Sequence, residues 1–157
     1  MILQIDDWKF DVDIDRTMAY SAAEAAEHCD CAYCRNFYAT IDGSFPKLRP
    51  FLAQFGIDIE APEEMCPFEG NLILYDPTYK VFGRILQAGN FEMQSGTVSI
   101  VARKKAENCF LLDCYEVFLP WIMDEPFEEI VSPANEPSFL KKMWDRMLRK
   151  AKKTELQ

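Results

Sequence analysis

Residues 8–14 alternate, with Trp8, Phe10, Val12 and Ile14 on one side and Lys9, Asp11 and Asp13 on the other. That is the period of a strand with one face in a core and the other in water. Ser21 followed three residues later by Glu24 has the form of a capping box ahead of an alanine-rich run, and predicts a short helix over 22–28. Asp30 is a candidate N-cap for a second helix over 31–40, which ends near Asp42-Gly43. Leu48, Phe51, Leu52 and Phe55 then recur at helical spacing after Ser44, with Pro50 in the first turn and Gly56 where a left-handed cap is wanted. Residues 57–70, with Pro62, Pro67 and Gly70 and no period, read as a connection.

Beyond it the pattern becomes that of strands. Apolar, β-branched or aromatic runs at 72–75, 80–87, 97–103 and 109–119 are separated by Asp76-Pro77, Gly89-Asn90, Ser95-Gly96 and residues 104–108. They predict an antiparallel meander of about four strands. Prolines between Pro120 and Pro137 interrupt regular structure, and a last helix begins near Phe139. Its apolar stripe is Leu140, Met143, Trp144, Met147, Leu148 and Ala151, with Lys141, Lys142, Arg146, Arg149 and Lys150 opposite. The expected fold is therefore α+β: an N-terminal strand, short helices, then a meander packed by helices that include the amphipathic C-terminal one. A sheet curved around a ligand is one version of that class, which the pattern does not select. The length, 157 residues, fits one domain over 1–157.

The charge balance, 26 acidic against 17 basic residues for a net −9, argues against a nucleic-acid partner, because such a surface repels phosphate. A basic protein partner is the expected complement. Seven of the basic residues fall between Lys141 and Lys153, so the terminal helix is cationic against an acidic remainder. That polarity suits docking on the protein's own body, and also an anionic membrane surface or a partner groove. No run of eighteen apolar residues exists, and residues 1–9 carry Asp6 and Asp7 where an export signal would be basic. Neither a membrane span nor a signal peptide is expected. Six cysteines without an export signal point to a reducing, cytoplasmic setting with thiols free or metal-bound.

The densest chemistry is His28-Cys29-Asp30-Cys31-Ala32-Tyr33-Cys34. If Cys31 opens a helix, Cys31 and Cys34 share one face, and the helix N-terminus favours their thiolates, the form that binds metal or attacks a disulfide. His28, Cys29, Cys31 and Cys34 are the candidate ligands of a structural metal, zinc being the natural ion for such donors, with Cys66 a further candidate. Cys109 and Cys114, an odd number of residues apart on a strand, point to opposite faces. Cys31-Ala32-Tyr33-Cys34 also resembles the active-site tetrad of glutaredoxins and thioredoxin-like proteins over those four residues. The resemblance implies a dithiol redox protein using Cys31 and Cys34. In that family the tetrad follows a strand, opens the first long helix beside a sheet with parallel strands, and usually contains proline; here residues 22–28 read as helix and the tetrad has none.

Asp11, Asp13 and Asp15 form a D-x-D-x-D run without the glycine turn and later glutamate of a calcium loop, and read as a solvated strand face. Asp124, Glu125, Glu128 and Glu129 offer carboxylates without an accompanying catalytic motif, and the chain has one histidine. The expectation is a small acidic cytosolic binding or interaction domain, with a thiol or metal cluster at Cys31 and Cys34 and dithiol redox chemistry as its alternative.

Overall fold

The first two strands form a hairpin, β1 (Ile2–Ile5) and β2 (Trp8–Val12), because Asp6 accepts the left-handed conformation of the turn between them (φ 51°). The computed structural model describes residues 1–65, 67–68 and 72–124. Strand alternation ends at Val12, two residues short of expectation, because Asp13 caps a helix. Its carboxylate accepts from the Arg16 backbone N–H at 3.0 Å and opens α1 (Ile14–Ala26). Ser21 is thus not a cap but a buried mid-helix residue whose hydroxyl accepts from the Asp58 N–H at 3.2 Å. Thr17 fastens α1 to the sheet by donating to the Asp13 carbonyl and accepting from the Phe82 N–H.

Helix α2 (Ala32–Ser44) begins one residue later than expected and runs through Gly43; its N-cap is Cys31 rather than Asp30. In α3 (Leu48–Ala53), Pro50 is tolerated because first-turn N–H groups have no helical partner. Gly56 follows at φ +82°, and a Cβ there would sit 2.8 Å from the Ile14 carbonyl.

Six strands make one wholly antiparallel sheet in the order β1-β2-β4-β7-β6-β5, with β4 Thr78–Gln87, β5 Met93–Ser95, β6 Val98–Ala106 and β7 Cys109–Tyr115. A second sheet pairs β3 (Ile73–Leu74) with β8 (Phe118–Leu119). The α+β class holds, but the expected meander of about four strands does not. The first half of β4 pairs with β7 and its second half with β2, so β4 lies beside neither β3 nor β5. The handover falls at Gly83 (φ +144°), where a Cβ would come within 2.1 Å of the Asp11 carbonyl oxygen; only glycine lets β2 approach here.

The core gathers on one face of this sheet. Phe10 stacks on Phe110 and meets Phe55 edge-on, while Phe37, Ile41, Leu48 and Leu52 from the helices are fully buried with Tyr79, Val81, Ile100 and Leu112. Contacts gather Met1–Ile122 into one compact unit, distinct from the unit beginning at Met123. The expected C-terminal helix with its stripe, Glu125, Glu128, Glu129 and Cys66 lie outside the described residues.

Candidate metal centre

Two core residues anchor the first turns of α2. Tyr75, fully buried, donates its hydroxyl to the Tyr33 carbonyl at 2.8 Å. Asn36, equally buried, donates to the Tyr75 hydroxyl at 3.1 Å and to the Pro120 carbonyl at 2.9 Å, and accepts from the Ile122 N–H at 2.9 Å. The turn carrying Cys31, Tyr33 and Cys34 is therefore fixed to the body from below while its other side faces water.

On that side the sulfur atoms of Cys29, Cys31 and Cys34 lie within 4.8 Å of one another. Cys31 and Cys34 meet because they are three residues apart at the start of a helix, and the Cys34 N–H points at the Cys31 sulfur (3.5 Å). Cys29 lies outside the helices, ahead of α2, and accepts from the Cys31 N–H, which, with a bond from the Cys31 side chain, holds its thiol below the ordinary cysteine value. Cys29 and Cys31 are exposed and Cys34 is half-buried. Burial first, and then the neighbouring thiols, push the Cys34 thiol up.

Around a tetrahedral zinc with Zn–S bonds of about 2.3 Å, sulfur atoms stand about 3.8 Å apart. The three thiols need to close by about 1 Å at most to reach that separation, a side-chain adjustment at an exposed helix start. His28 is not within this group: its imidazole lies flat on the Tyr38 ring, with centroids 4.1 Å apart and an interplanar angle of 16°. Tyr38 stands four residues after Cys34 on α2, one turn further along the helix. Burial is the chief cause that raises the Tyr38 hydroxyl, followed by the charge of Cys34, Cys29 and Cys31. The sequence pattern brought out the thiols but not Tyr38, although the i, i+4 spacing from Cys34 was its signal.

The other candidates separate. Cys109 and Cys114 are buried along β7, and burial drives the Cys114 thiol far up. Asp11 pairs with Arg84 at 3.2 Å, Asp13 caps α1, and Asp15 lies in the first helical turn, so the acidic run is divided among separate duties. An open cavity of about 670 Å3 beside Asp11, Asp13, Arg16, Phe82 and Arg84 lies where the sheet, α1 and the β6–β7 turn meet, and none of its lining residues is a thiol. Among the described residues no helix is long and apolar enough to cross a membrane. The thioredoxin-like resemblance does not extend past its tetrad: α1 precedes it, and every strand pairing in the described residues is antiparallel. No protein-family model, curated protein or solved structure matches the chain.

Proposed function

We propose that this chain is a small acidic binding domain organised around a soft-metal site, in which the thiolates of Cys29, Cys31 and Cys34 hold a zinc ion and His28 supplies the fourth ligand. The observation that carries the reading is the convergence of three sulfurs within 4.8 Å on the rim of one helix. A dithiol exchange site needs two thiols and has no use for a third beside them, whereas thiolates grouped in threes and fours suit zinc. The α2 N-terminus and the N–H groups of Cys31 and Cys34 favour the negative charge that three thiolates bring. The setting would be a reducing cytoplasm, which keeps these thiols available, and the net charge of −9 favours a basic protein as partner.

Dithiol redox chemistry is the second reading. It is favoured by the lowered, exposed Cys29 thiol with two further sulfurs in range. Metal analysis with a thiol count separates the two on protein purified under reducing conditions. The proposal expects one zinc per chain, with Cys29, Cys31 and Cys34 shielded until a chelator is added. Metal-free protein whose Cys29 reacts rapidly at neutral pH and forms a disulfide with Cys31 or Cys34 would support the redox reading instead.

A further inference from the structure

The stack of the histidine ring on Tyr38 sets a condition on how the metal site closes. Three sulfurs already lie together, while the only imidazole of the chain is held flat against Tyr38, one helical turn after Cys34 on α2. The stack covers the imidazole's face and leaves its nitrogens free, but where it holds the ring neither nitrogen joins the group of three sulfurs, so ligation requires His28 to leave the position it takes on the tyrosine. His28 is exposed and sits between α1 and α2 in neither helix, so moving it breaks no helix.

We propose that Tyr38 is the positioning residue of this site: it holds His28 away from the thiols in the metal-free chain, and capture of a tetrahedral ion by Cys29, Cys31 and Cys34 is coupled to release of the His28–Tyr38 stack. The inference rests on the reading of the three cysteines as zinc ligands. Its consequence is a trap with two stages, three thiolates first and imidazole second, in which the stack is a competing interaction that zinc must displace. A stack of this kind shifts an equilibrium by roughly 2- to 12-fold, and apparent zinc affinity is reduced by that factor. An ion satisfied by three thiolates, such as Cu(I), escapes the competition, so Tyr38 also bears on which metal the site prefers.

His28 is the only histidine of the chain, so its imidazole C–H resonances are identified without assignment in the untagged full-length protein. In metal-free protein they should stand upfield, shifted by the Tyr38 ring current, and one equivalent of Zn(II) should remove that shift. Tyr38→Leu should abolish the upfield shift without metal and tighten Zn(II) binding by roughly 2- to 12-fold, a gain that a merely structural role would not give. Tyr38→Phe keeps the ring and should give no gain; His28→Ala should weaken Zn(II) by at least roughly tenfold. If zinc binds one to one while the His28 resonances stay upfield, the inference fails and the thiol site stands alone. If Tyr38→Leu folds and leaves zinc affinity unchanged, the positioning role is wrong. A chain that takes up no zinc overturns both this inference and the reading beneath it.

Discussion

Asn36→Ala is the perturbation that most sharply tests how the body holds the helix that carries the thiols. The Asn36 side chain makes three hydrogen bonds, to the Tyr75 hydroxyl, the Pro120 carbonyl and the Ile122 N–H. Each such bond is worth about 1 kcal/mol net, and alanine returns about 0.6 kcal/mol of helix propensity. Ile122 is exposed, so water replaces part of what its N–H loses, whereas the Tyr75 side is sealed. The expected cost is about 2 to 3 kcal/mol, or a urea midpoint lowered by roughly 1 to 1.5 M at a slope of about 2 kcal/mol/M. Tyr75→Phe, which removes the hydroxyl that donates to the Tyr33 carbonyl, should cost about 1 kcal/mol. Because the two residues share a bond, the double variant should be less damaged than the sum of the singles. A midpoint shift below roughly 0.3 M for Asn36→Ala, or full additivity in the double variant, would refute this account of the anchor.

Gly83→Ala should be among the most damaging single changes, at about 3 kcal/mol or more, because its methyl group would collide with the Asp11 carbonyl at a φ that alanine resists; thermal melting followed by circular dichroism measures it. For pH dependence, burial works to raise the Glu63 carboxyl, but the bonds from Lys105 and Tyr20 outweigh it and hold the group below its ordinary value of 4.5. Its contribution to stability is therefore complete above that ordinary value and disappears as pH falls through the lowered one, so acid unfolding below about pH 4.5 should be shallower in Glu63→Gln than in the parent; equal slopes in urea titrations at several pH values would contradict this. In metal-free native protein, a thiol-specific reagent should label Cys29 and Cys31 first and leave Cys114 untouched until the chain unfolds; early labelling of Cys114, read by peptide mass, would show that β7 is not closed as described.

Much of the local structure was legible because it depends on neighbours in sequence. The alternation from Trp8 to Val12, the apolar runs of β6 and β7, and the start of α2 within one residue all follow from side-chain period and capping chemistry. What escaped depends on contacts between distant segments. β1 is four residues with a half-exposed pattern, and β5 is only three, so each exists by virtue of its partner. The division of β4 between β7 and β2 turns on Gly83, a residue that in isolation reads only as a weak point in a strand. The same split runs through the site. The spacing of Cys31 and Cys34 announced a shared helix face, and Cys29 was near enough to join them. His28 lies on Tyr38 through a tertiary contact, and the burial of Asn36 depends on the carbonyl of Pro120 and the hydroxyl of Tyr75, both from distant segments.

Native mass spectrometry of the untagged chain, equilibrated with one equivalent of Zn(II) under reducing conditions, tests the central claim that Cys29, Cys31 and Cys34 form one metal site. The expected spectrum is a single zinc adduct that survives in Cys109→Ser and is lost or sharply weakened in each of Cys29→Ser, Cys31→Ser and Cys34→Ser. A parent chain that stays metal-free, or an adduct indifferent to removal of these three thiols, would contradict it.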